Sequence, residues 1–452
     1  MFLVQLLKGS AFVRKRKLTI IHIFLLILCW FLFWTAYLHI HVSFFNESLK
    51  LQDNVVPQQF NKKNINHATD QEASACLIIK DDNPRLIEWL AYHYQVLPLR
   101  TLILTADPLS RTSPKEVLDR WRNNVKDLEI IVWDEYDFDF NGTSIITPDN
   151  KDSDLFTLAE QALVARQRSF YSSCAIHLKK MKKSWVFIVD VDEYVAFNKA
   201  HHDDPSKTEE LENHLNALPE IKRSRQRKHR WRTHFEENLL RLRRNLPEIG
   251  QETVMEYIHR IREDPFSPFV TSTNYVMPRL FFSSKEPSRL ETSMPPSVRT
   301  SFDPLKFDTL RYFRHAEKGS FKWNRYGKSM LDVSRIPFEH LRPVIHEHLG
   351  VGYTDDYDSV FYSQSLFRVN HYLGSWDAYS REGDDRRNRN DYRGKARINE
   401  GTTFDMQPWL EAFVQNVGID RALKLLEGIG EHGVKQRTRS KKIAEIRKQL
   451  SA

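Results

Sequence analysis

The stretch Trp185-Val-Phe-Ile-Val-Asp-Val-Asp-Glu-Tyr-Val195 places three carboxylates, Asp190, Asp192 and Glu193, directly behind an apolar run. A short, continuously apolar run of aromatic and β-branched residues reads as a buried parallel strand, and nothing in such a strand calls for acid. On an extended backbone residues two apart share one face, so Asp190 and Asp192 are expected to converge on one hard cation, Mn²⁺ or Mg²⁺, bridging a diphosphate. The carboxyl ends of strands are also where α/β folds bind ligands. A solvated acidic turn after a core strand is the bland alternative for the same residues. Two carboxylates leave an octahedral cation short of ligands, and three downstream histidines are candidates to complete it: His346 and His348, which share a face of an expected strand, and His371.

Positioning these residues requires a sheet, and the preceding chain has the pattern of one. Cys76–Lys80 reads as a strand, Asp81-Asp-Asn-Pro84 as a turn, and Arg85–Tyr94 as a helix with proline near its first turn. Leu102–Leu104 reads as a second strand ending at Asp107-Pro108, and Ser113-Pro114 opens a helix running to Trp121. Ile130–Trp133 makes a third strand, and a helix over about Leu155–Met181 delivers the chain to the acidic run. Strand and helix alternating in this way predict a parallel sheet covered by helices. Further on, Tyr275–Phe282, Phe307–Phe313 and Phe321-Lys-Trp are expected to be extended, whereas Trp409–Val417 and Arg421–Leu426 are expected to be helical.

The chain has 452 residues, 41% of them apolar, which is ordinary for a globular protein with a substantial core and argues against disorder. A formal charge of +8 allows anionic partners such as nucleotides or membrane phosphate without demanding nucleic acid, and none is expected. Three cysteines exclude a disulfide scaffold. Cys29 lies in the apolar N-terminal segment, leaving Cys76 and Cys174 either as one bridge or as two buried thiols. Leu18–Ile40 has no charged side chain and at ~1.5 Å per residue is long enough to cross a bilayer core of roughly 30 Å. With Arg14-Lys-Arg-Lys17 before it, the positive-inside rule makes it a type II signal anchor; a cleaved signal peptide is the rival reading. Residues 1–17 are then a cytosolic tail, 18–40 the anchor and 41–74 a polar stem. The acceptor triplets Asn46-Glu-Ser48 and Asn141-Gly-Thr143 fit lumenal exposure. Residues 200–270 form a helical insertion in which Lys222–Arg244 carries ten Lys and Arg against two Glu. As a basic amphipathic helix it either faces water or grips an anionic acceptor or the membrane surface, and the solvated reading is preferred.

Several of these motifs, in this order, resemble glycosyltransferase family 92 and its family 2-like relatives of the GT-A fold. They are Cys76-Leu-Ile-Ile-Lys80, Glu88-Trp-Leu-Ala-Tyr-His93, Cys174 with Trp185, Asp190-Val-Asp-Glu-Tyr194, Gly327-Lys-Ser329, His346-Glu-His348 and Asn370-His-Tyr-Leu-Gly-Ser-Trp-Asp-Ala-Tyr379. The chain departs from the family's usual pattern at Asp81-Asp82, at Asp107-Pro-Leu-Ser110 and at Tyr194. The resemblance implies a mostly parallel, Rossmann-like GT-A sheet with helices on both sides over residues 75–400, followed by a C-terminal helical segment over 401–452. It implies transfer of a hexose, with galactose from UDP-galactose the leading guess, to a glycan acceptor. Inversion at the sugar carbon, a Golgi location and a divalent metal on Asp190 and Asp192 belong to the same expectation. On this reading Lys80, Glu88, Asp107 and Lys328 contact the nucleotide sugar, and Glu193 or Glu347 is the candidate base. A non-catalytic membrane-anchored lectin or scaffold of the same fold is the alternative.

Overall fold

The computed structural model describes residues 71–138, 155–199, 238–239, 241–264, 267–286, 296–316, 327–341, 365–380 and 387–431. Leu18–Ile40, residues 41–70 of the stem, both acceptor triplets, Phe321 to Trp323, His346 to His348 and most of the basic stretch 222–244 lie outside them, and the stem ends earlier than expected, because Ala73 and Ser74 already belong to the first strand. Among the described residues no helix is long and apolar enough to cross a membrane.

Four strands, β1 (Ala73–Ile79), β2 (Leu99–Ala106), β3 (Glu129–Trp133) and β4 (Trp185–Ile188), lie parallel in the order β3-β2-β1-β4. The antiparallel strands β9 (Lys328–Asp332) and β6 (Asn274–Met277) extend this sheet beyond β4. The fold is thus mixed α/β with a mostly parallel sheet flanked by helices, compatible with a Rossmann-like fold. Alternation along each strand divides its side chains between two layers. Ala75, Leu77, Leu102, Leu104, Trp185 and Phe187 enter the main core, which includes α1 (Asn83–Val96), α2 (Lys115–Asn124) and the C-terminal helix α7 (Trp409–Val417). Cys76, Ile103, Val186 and Ile188 face the other way, onto Phe170, Cys174 and Leu178 of α3 (Leu155–Lys180). There Cys76 and Cys174 form a disulfide, so the bridge is the correct one of the two cysteine readings.

A second sheet has the order β11-β8-β7-β10-β5, built from β5 (Glu193–Phe197), β7 (Arg279–Phe282), β8 (Arg314–His315), β10 (Phe367–Tyr372) and β11 (Gly401–Thr402). Three expectations change here. The run Tyr275–Phe282 is two strands, because Pro278 interrupts it and sends β6 and β7 into different sheets. Phe307–Phe313 is not extended: Asp308–Arg311 is a short helix, α5, whose first amides are capped from outside by the Glu88 carboxylate. The C-terminal segment is not separate, since Trp409, Leu410 and Phe413 of α7 are fully buried and Trp409 donates to Thr309 Oγ1 at 2.8 Å.

The insertion is described only in part. Thr253 and Glu256 form a capping box that starts α4 (Val254–Ile261), and the helical turn at 241–244 packs Leu242 inward. Arg243 does not face water as a solvated basic face would require; it is buried and donates from Nε to the Asn198 carbonyl at 3.1 Å. Arg241 does face solvent, paired with Asp264.

Candidate functional site

The acidic run is not one strand. β4 stops at Ile188, opposite Cys76 of β1 and Ser329 of β9, and β5 begins at Glu193 in the other sheet. Asp190 and Asp192 therefore lie in the turn that carries the chain between sheets, closed by Glu193 N–H donating to the Asp190 carbonyl at 3.0 Å. The shared face expected of an extended backbone is replaced by turn geometry, because Glu193 reaches back and accepts the Asp190 N–H at 2.9 Å.

Each carboxylate of the turn has a cation. Asp190 Oδ2 meets Lys328 Nζ at 2.7 Å, and the same ammonium lies 3.2 Å from Glu193 Oε2. Glu193 Oε1 accepts from Arg279 Nη1 at 3.0 Å. Burial, the largest influence on Glu193, raises its pKa, but Lys328 and Arg279 outweigh it and hold the carboxyl below its ordinary range. Asp192 Oδ2 lies 3.4 Å from Arg85 Nη1 and 3.7 Å from His371 Nε2. Its pKa too is raised by burial and lowered further by His371 and Arg85, so it is an anion. His371 is brought to the turn by β10, where it pairs with Glu193 across the antiparallel ladder.

The residues assigned to the nucleotide do not gather in one place. Lys80 and Asp107, 4.0 Å apart, stand at the carboxyl ends of β1 and β2, where Arg166 of α3 bonds Asp107 at 3.1 Å and Glu135 at 2.9 Å. This cluster and the acid turn occupy the same edge of the parallel strands, the edge where α/β sheets bind ligands. Lys328 belongs to the turn instead, fully buried between Asp190 and Glu193. Glu88 is inside the protein, accepting from Asp308 N at 2.8 Å, Thr309 N at 2.9 Å and Thr309 Oγ1 at 2.6 Å. Burial and the neighbouring Asp308 push its pKa up to about 8, against hydrogen bonds that lower it. Enclosure of this kind makes Glu88 a helix cap rather than a ligand contact. A cavity of about 470 Å³ lined by Tyr94, Gln95, Arg100, Gln251 and Asn416 contains none of the residues singled out from sequence.

Among the described residues no three acidic or histidine side chains converge as a metal centre would need. Asp192 and His371 come nearest. Two donors bound at right angles to one cation at ~2.1 Å stand ~3 Å apart, so a separation of 3.7 Å needs only a small closure. Their side chains are 15% and 25% exposed and that of Asp190 is 40% exposed, which leaves the turn open to solvent. A carboxylate oxygen suits Mn²⁺ or Mg²⁺ and a neutral imidazole is a common ligand of divalent metals, so the chemistry of the pair is compatible with such a cation. His346 and His348 lie outside the described residues.

Sequence reasoning missed Arg85, Arg166, Arg279 and Asp308. The first had a signal: Arg85 and Glu88 stand three apart on a helix that has no other Asp, Glu, Lys or Arg, a spacing that puts two charges on one face. No family model matches the chain, and no curated protein matches it.

Proposed function

We infer that the chain is a membrane-anchored glycosyltransferase of GT-A type that moves a hexose, with galactose the leading choice, from a nucleotide sugar to a glycan acceptor with inversion. The observation that carries this reading is the acid turn at the carboxyl end of β4, where Asp192 faces His371 across 3.7 Å at the junction of two sheets. Asp192 and His371, with Asp190 beside them, are the residues that would hold Mn²⁺ or Mg²⁺. When bound, the cation neutralises charge on the departing diphosphate. Lys328 and Arg85 hold Asp190 and Asp192 through ion pairs, and Lys80, Asp107 and Arg166 supply polar groups along the same sheet edge for the nucleotide. Glu193 is set aside as the acceptor base, because both of its oxygens are held in ion pairs inside the protein. The anchor at Leu18–Ile40 and the disulfide fit a Golgi enzyme with its catalytic part in the lumen.

The test is donor hydrolysis by the purified protein with Mn²⁺ and a panel of UDP- and GDP-sugars, run beside Asp192→Asn. Loss of one ligand charge removes transition-state stabilisation of several kcal/mol, so turnover should fall by about 100-fold or more. Equal turnover by parent and Asp192→Asn would refute the metal role of the turn. No hydrolysis of any donor, with saccharide binding retained, would favour the lectin alternative.

A further inference from the structure

We propose that Arg85 is the positioning residue of the acid turn, holding Asp192 in the orientation in which it and His371 bind one divalent cation; this rests on the metal reading given above. Arg85 sits in the first turn of α1 with a side chain only 1% exposed, and a guanidinium taken out of water needs its donors satisfied inside the protein. Its donors are spread over three separate segments. Nε donates to Asp308 Oδ2 at 3.0 Å, Nη1 to Asp192 Oδ2 at 3.4 Å, and Nη2 to the Leu373 carbonyl at 2.7 Å and the Tyr372 carbonyl at 3.4 Å. The last two carbonyls close β10, the strand that carries His371. Tyr372 N–H also donates to the Asp192 carbonyl at 2.9 Å. One rigid fork therefore ties the turn holding Asp192 to the end of the strand holding His371.

The surroundings are shaped to this fork. Gly374 takes φ +71°, and a Cβ there would lie 1.9 Å from Arg85 Nη2 and 2.9 Å from Asp308 Oδ2, so the chain leaves β10 through a residue without a side chain at the point where the guanidinium passes. Asp308, the anchor on the far side, is itself fixed by Glu88, one turn along α1 from Arg85. Arg85 and Glu88 thus grip the start of α5 together. Only a planar group with donors along three directions reaches all of these acceptors; a lysine ammonium in the same place is a point charge. Arg85 and His371 both approach Asp192 Oδ2, and a carboxylate oxygen can accept an outer hydrogen bond through one lone pair while it faces a cation with the other, the arrangement of a carboxylate ligand steadied from behind.

The experiment measures Mn²⁺ binding to the full-length protein in detergent, without donor or acceptor, from the free-ion electron paramagnetic resonance signal. Arg85→Lys keeps the charge and removes the fork, so a direct electrostatic effect on the cation is held nearly constant. Asp308→Asn is nearly isosteric and loosens the fork from its far end without touching Asp192. Outer-shell partners of metal ligands typically account for 10–100-fold in affinity. Arg85→Lys should therefore weaken Mn²⁺ binding by about 10–100-fold, with Asp308→Asn intermediate. Arg335→Lys serves as a control, because Arg335 also bonds one carboxylate and three carbonyls, of Phe269, Val270 and Ser272, away from the turn. It should lower the melting temperature and leave Mn²⁺ affinity unchanged. Folded Arg85→Lys and Asp308→Asn proteins that bind Mn²⁺ within twofold of a binding-competent parent would overturn the positioning role alone. A parent that binds no Mn²⁺ would overturn the metal reading and this inference with it.

Discussion

His93 is a residue whose chemistry was hidden by its type. It is fully buried in α1, with Nδ1 2.9 Å from the Trp89 carbonyl and Nε2 accepting from Val195 N–H at 3.4 Å. One ring nitrogen donates and the other accepts, so the ring is neutral, and burial drives its pKa down to about 3. The folded value lies below the unfolded one of ~6.5, so the unfolded chain takes up a proton that the folded chain refuses as pH falls. Stability is complete above about 6.5 and declines below it by about 1.4 kcal/mol per pH unit from this group. Urea unfolding at pH 7, 6 and 5 should show this slope in the parent and a shallower one in His93→Phe, whatever that variant loses at pH 7 through its missing hydrogen bonds. Parallel slopes would mean that His93 is protonated in the folded state.

At the scale of elements, the insertion is joined to the second sheet by a charge that a helical wheel would have placed in water. Arg243 donates to the carbonyl of Asn198, just after β5, while Leu239 and Leu242 pack into the main core. Arg243→Gln should destabilise the protein by about 1–3 kcal/mol, because the Asn198 carbonyl loses its charged donor inside the fold. Arg241→Gln removes an exposed pair with Asp264 and should change stability by less than about 1 kcal/mol. Thermal melts of the two single variants distinguish a docked insertion, in which they differ, from a solvated one, in which they match. The acid turn has the same logic: its position depends on β4 ending in one sheet and β5 beginning in another, which no single element encodes.

For the whole molecule the disulfide is the largest constraint. Cys76 lies in β1 and Cys174 in α3, at a sequence separation of 98, so the bridge closes a loop that contains α1, β2, α2 and β3. Restricting an unfolded chain over a loop of that length stabilises the fold by about 2–5 kcal/mol. Cys76→Ala with Cys174→Ala should lower the urea midpoint accordingly, and reductant should shift the parent toward the double variant. A double variant with the parent's midpoint, insensitive to reductant, would mean that the bridge does not form in solution.

The order of strands and helices up to β4 could be read from the sequence, because apolar runs of four to eight residues and helical periodicity are local properties set by burial of one face. α3 and both C-terminal helices fall close to the expected residues, and the carboxylates of the acid turn stand out because acid after a buried strand has no packing reason. Partners were not legible. Whether Cys76 meets Cys174 depends on which face of β1 looks toward α3, and whether Glu88 binds a ligand or caps a helix depends on α5 arriving from more than two hundred residues away. Lys328 stands out only through the resemblance, and as a nucleotide contact, while Arg279 does not stand out at all; only the junction of the two sheets sets them against Asp190 and Glu193. The periodicity of a strand determines which side chains share a face, but long-range ion pairs and the sheet that a strand joins are settled by packing between segments distant in the chain.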